Sequence, residues 1–215
     1  CLSHDIVTHE LGHAVLDGLK PYYNEVSSVE TAGFHEYFGD ALALASSLTF
    51  RDVLAKVVGS APRRLTKELI GKIGQEFGSA HDGDTGYLRA AFERRTMPEV
   101  AGNYEEHDYS QVLTNAFYEF LARLYEDRMK KERPKSGKTG LDGGVAVAAL
   151  VNAADQASRT FFRALDYCPP VDITYLDYAR AVIQADRIAY PSDEIGARKL
   201  LSELFVERGV VADVK

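Results

Sequence analysis

His9-Glu10-Leu11-Gly12-His13 stands inside Leu2 to Leu19, the segment from which the rest of the chain is read. On a helix, residues four apart share a face, so the two imidazoles project one turn apart and can bind one metal ion. Glu10 lies about 100° further round, where its carboxylate can reach a water at that metal. Ile6, Val7, Leu11, Ala14 and Val15 predict the apolar stripe of this helix; Ser3 or Asp5 supplies its cap, and Gly18 with Pro21 ends it. A buried structural histidine pair is the plain alternative, so a third ligand has to decide.

In a metzincin, a glycine and a histidine would follow His13 by three and six residues; Leu16 and Leu19 occupy those places and exclude that class. Downstream, Ala32-Gly33-Phe34-His35-Glu36-Tyr37-Phe38-Gly39-Asp40 opens a second apolar helix, predicted to continue through Leu42, Leu44 and Leu48 to about Val58. Glu36 and Asp40 share one of its faces. One carboxylate can close the metal site while the other, a turn later, accepts the free N–H of a ligating histidine and sets its tautomer. Glu25 and Glu30 are rival third ligands, but neither has an acid four residues on and neither opens an apolar helical pattern.

These residues resemble the catalytic domain of the thermolysin-like metallopeptidases, which carry a zinc-binding Glu downstream of the His-Glu-x-x-His motif and an Asp four residues beyond it. The resemblance implies Zn2+ on His9, His13 and Glu36, Glu10 as general base and Asp40 behind a ligand histidine. It also implies an oxyanion donor at a helix start, matched by His107 in His107-Asp108-Tyr109-Ser110, whose acidic neighbours Glu105, Glu106 and Asp108 would keep it protonated. A tyrosine between the two site helices, Tyr22 or Tyr23, and an arginine, Arg89 with Arg94 and Arg95 as rivals, carry over on spacing alone. Two departures touch the substrate side: His35 replaces the family's Asn and is expected to donate to a substrate carbonyl in its place, and Gly39 replaces Ser. The acidic cluster that binds calcium in thermolysin is missing after Asp40, and Asp82 and Asp84 read as a polar turn.

The function implied is zinc-dependent hydrolysis of internal bonds in a peptide or protein substrate. A zinc aminopeptidase and a non-catalytic, zinc-stabilised helical binding or regulatory module are the alternatives. The fold implied is mainly α: a helical bundle over residues 1–215, similar to the C-terminal half of the thermolysin-like catalytic domain and lacking a β-rich N-terminal segment as its partner. That segment would supply an edge strand for the substrate. Secretion is implied by the resemblance alone.

Composition agrees with an enzyme domain of 215 residues with 46% hydrophobic content, long enough for a sizeable core. A net charge of −7 argues against a nucleic-acid partner, and no apolar run reaches the ~18 residues of a membrane span. Cys1 and Cys168 can pair but form no disulfide framework. Further helices are expected at 64–77, from His107 to Lys131, from Val145 to Leu165, from Thr174 to Ala189 behind an Asp172 cap, and from Ser192 to near Gly209. Loops are expected at 78–86 and 134–144.

Overall fold

The computed structural model describes residues 4–25, 27–60, 65, 94–131 and 143–212. Over these residues the chain is a helical bundle without a strand, as its patterning predicts. The helices are α1 (His4–Leu19), α2 (Val29–Ser47), α3 (Arg51–Ser60), α4 (Met97–Val100), α5 (Glu106–Lys131), α6 (Gly143–Arg163), α7 (Tyr175–Ala189) and α8 (Ala197–Glu207). The helix expected at 64–77, apart from Leu65, the loop at 78–86 with Asp82 and Asp84, and residues 134–142 lie outside the described residues. No helix among those described is long and apolar enough to cross a membrane.

Caps move several boundaries. Helix α2 starts before Ala32 because the Ser28 hydroxyl accepts the Thr31 N–H at 3.1 Å. It stops at Ser47, well short of Val58, where the Thr49 hydroxyl turns back onto the Ser46 carbonyl at 2.7 Å and the chain restarts as α3. Thr174, not Asp172, caps α7: its hydroxyl accepts the Asp177 N–H and the Asp177 carboxylate accepts the Thr174 N–H, a closed capping box. Helix α8 begins later than Ser192, with Asp193 accepting the N–H groups of Ala197 and Arg198.

One hydrophobic cluster runs from Leu16 to Val210, with α2 packed between α1 and α5 and the remaining helices behind them. Arg208 sits in it fully buried, ion-paired to Glu119 and donating to the Leu204 carbonyl at 3.0 Å, which locks the end of α8 to α5.

Helix α1 overturns the predicted stripe. Val7, Leu11, Val15 and Leu19 face outward, at 53%, 54%, 37% and 59% exposure, while Asp5, Thr8, His9, Gly12 and Leu16 form the buried face. The reason is a polar seam with α2. Asp5 accepts from Ser47 at 2.8 Å, His4 bonds Ser46 at 3.0 Å, and His9 bonds Asp40 at 3.0 Å, so the helices run antiparallel with their buried polar groups satisfied. Glycines permit the approach. A Cβ on Gly12 would stand 2.7 Å from the Gly39 Cα, and one on Gly39 would stand 2.8 Å from the His9 ring.

Candidate metal centre

The seam delivers His9 and His13 from α1 and Glu36 from α2 to one point. Their ligand atoms lie within 3.1 to 3.6 Å of each other: His9 Nε2 to His13 Nε2 3.1 Å, His9 Nε2 to Glu36 Oε2 3.4 Å, and His13 Nε2 to Glu36 Oε1 3.6 Å. Ligands about 2.0–2.1 Å from a tetrahedral zinc stand roughly 3.3–3.4 Å apart, so this donor set and its spacing fit zinc with one position left open. The rivals are elsewhere: Glu30 accepts the Tyr175 N–H at the start of α7, and Glu25 is exposed outside the cluster. A second group, Glu105 with Glu106 and His107, sits at the start of α5, where Glu105 already accepts from His107 and from helix N–H groups.

Behind these three residues, Asp40 accepts the His9 Nδ1–H at 3.0 Å through one oxygen and the Thr114 hydroxyl at 3.3 Å through the other. In the neutral ring this puts the lone pair of His9 on Nε2, turned to the cluster. His13 Nδ1 meets His35 Nδ1 at 2.6 Å, and His35 Nε2 meets Asp17 Oδ1 at 2.9 Å. Both ring nitrogens of His35 are therefore engaged, and the expectation that it donates to a substrate carbonyl is corrected.

The cluster favours a cation. Burial opposes charge on His9, yet the Asp40 and Glu36 carboxylates outweigh it and push its pKa up to about 10. Burial, together with repulsion from His9 and His35, holds His13 below the ordinary imidazole range. Glu36, although half-buried, is held below the usual carboxylate range by His9, His13 and His107.

Glu10 is exposed beside the cluster. His107 reaches it from α5: Nε2 stands 3.4 Å from Glu36 Oε2 while Nδ1 bonds Glu105 at 2.7 Å. Burial works against its charge, but Glu105, Glu36 and Glu106 raise its pKa above the ordinary value. Tyr23 is not brought to the site; it is fully buried against Phe34 and its hydroxyl donates to the Pro169 carbonyl at 2.5 Å. Its neighbour Tyr22 is 56% exposed. Arg89 lies outside the described residues; Arg94 pairs with Glu207 and Arg95 donates to Gln111. Cys168 is a free thiol that donates to the Ala164 carbonyl, and Cys1 lies outside the described residues.

Asp17, Thr114 and the Gly12–Gly39 contact escaped the sequence reading. Asp17, four residues after His13 on the same helix face, is the one with a usable signal; Thr114 carries none, because it comes from a distant helix. Comparison of the chain with protein-family models, with curated proteins and with solved structures finds no match.

Proposed function

We propose that this chain is a zinc metalloendopeptidase domain. The observation that carries the reading is the convergence of His9, His13 and Glu36 at tetrahedral ligand spacing with Glu10 open beside them. Zinc held there would polarise a peptide carbonyl and activate a water at neutral pH. Glu10 takes the proton of the attacking water and returns one to the leaving amine. His107, whose pKa Glu105 and Glu36 raise against its burial, donates from Nε2 to the oxygen on which charge develops. Asp40 keeps the His9 ring in its ligating tautomer.

The outward stripe Val7, Leu11, Val15 and Leu19 supports the partner side of the reading. A line of large apolar residues on the site helix, left open while polar groups are buried beneath, suits cover by a β-rich segment that also walls the substrate cleft.

Zinc per chain, measured by elemental analysis for wild type, Glu36→Ala and Glu10→Gln, tests the reading together with peptide turnover. Wild type should hold about one zinc, Glu36→Ala should lose it, and Glu10→Gln should keep it while turnover falls at least a hundredfold (~3 kcal/mol). Near-normal turnover by Glu10→Gln would remove its assigned role. Zinc without Glu10-dependent turnover would favour a binding module, and stepwise loss of N-terminal residues from the substrate would favour an aminopeptidase.

A further inference from the structure

His35 occupies a place that no ordinary packing residue needs. Its ring and that of His13 are nearly coplanar, 21° apart, with centroids separated by 4.8 Å and their Nδ1 atoms by 2.6 Å. The two rings therefore meet edge to edge, so that an N–H of one points along the in-plane lone pair of the other, the best alignment available to an imidazole pair. The far edge of His35 ends on Asp17, one helical turn beyond His13 on α1.

We infer that Asp17 and His35 form a positioning relay that sets the tautomer of His13 and aims its Nε2 lone pair at the metal. An ionised carboxylate only accepts, so Asp17 requires His35 to carry its proton on Nε2. Neutral His35 then has its lone pair on Nδ1 and must accept, which requires His13 to carry its proton on Nδ1. The only lone pair left on His13 is on Nε2, the atom 3.6 Å from Glu36 and 3.1 Å from His9 Nε2. Hydrogen bonding alone transmits the choice across two rings.

The two ligand histidines are thus supported differently. His9 leans on a carboxylate directly, at 3.0 Å and within the seam. His13 leans on a carboxylate through an intervening imidazole, with Asp17 at the more open end of α1. The arrangement also explains why α1 and α2 must stay in register at this end: Asp17 and His13 come from α1, and His35 and Glu36 from α2. A shift of either helix breaks the relay and the ligand set together.

The inference rests on the reading of His9, His13 and Glu36 as metal ligands, and its test separates the two. Zinc affinity is measured by chelator competition for wild type, His35→Phe, His35→Asn and Asp17→Ala. The phenylalanine keeps a ring of similar size but removes the acceptor, and affinity should fall by about 10- to 100-fold. The asparagine side-chain oxygen takes the place of Nδ1 as acceptor and should restore affinity to within about threefold of wild type. Asp17→Ala should fall between them. Unchanged affinity in His35→Phe, or no rescue by asparagine, would overturn the relay while leaving the metal site standing.

A second readout needs no metal. Ring 15N shifts of His13 in the metal-free chain at pH 8 should report the Nδ1–H tautomer in wild type and its loss in His35→Phe. An Nε2–H tautomer in wild type would overturn the relay. Absence of zinc uptake by wild type, with the Nδ1–H tautomer present, would remove the metal reading alone.

Discussion

Replacing Gly12 by alanine gives the sharpest test of how α1 and α2 build the site. In an open helix the change would stabilise by about 1 kcal/mol, because alanine is the better helix former. Here the new Cβ would lie 2.7 Å from the Gly39 Cα and 3.3 Å from the Gly39 nitrogen, both backbone atoms that no rotamer change can move. Carbon contacts settle at about 3.5–4.0 Å, so the helices must part by roughly 1 Å. Overpacking of that size costs about 1–3 kcal/mol, which cancels or exceeds the propensity gain. The same displacement would stretch the 3.0 Å His9–Asp40 bond to near 4 Å, beyond hydrogen-bond reach, and draw Glu36 away from both histidines. Zinc affinity is expected to fall at least tenfold. Gly18→Ala is the control, since nothing lies within 4 Å of its Cβ. It should stabilise by up to about 1 kcal/mol and leave zinc binding unchanged. Urea midpoints and chelator competition are measured on both variants, and a Gly12→Ala protein that gains stability and binds zinc like wild type would show that the Gly12–Gly39 contact does not set the helix spacing.

Leu16→Ala should cost about 2–5 kcal/mol in urea unfolding, whereas Leu11→Gln should change stability by less than about 0.5 kcal/mol; equal losses would mean that the outward face of α1 is wrongly assigned. Glu119→Ala strands the buried Arg208 guanidinium and should destabilise by about 3–5 kcal/mol, and a loss below about 1 kcal/mol in thermal unfolding would show that the pair is dispensable. Burial, reinforced by Asp193 and opposed by Arg198, pushes the Asp186 carboxyl up to about 6. The folded chain therefore holds this proton more tightly than the unfolded chain, so the cost of the buried charge is fully present above pH 6 and relieved as pH falls toward 4. Wild type should accordingly gain stability relative to Asp186→Asn between pH 7 and 4.5, and parallel pH curves for the two proteins would contradict this.

The spacing of His9, His13, Glu36 and Asp40 was readable in the chain because each pair sits four residues apart on a helix, where 3.6-residue periodicity alone puts both side chains on one face. Helical class was readable for the same reason. The facing of α1 was not. Its apolar residues suggested a core stripe, but the partner helix offers Asp40, Ser46 and Ser47, and satisfied hydrogen bonds turn the polar side inward. Nor could spacing choose between Tyr22 and Tyr23: the carbonyl of Pro169, remote in sequence, removes Tyr23 from the surface. His35 is the plainest case. From the chain it reads as a group facing substrate, and both its ring nitrogens are engaged only because α2 lies antiparallel to α1 and brings it between His13 and Asp17. Each local face was therefore legible in the chain, since periodicity is a property of one helix. Which face is buried, and which partner each polar atom finds, was decided only by tertiary structure, because satisfying a buried hydrogen bond depends on groups from elements far apart in the chain.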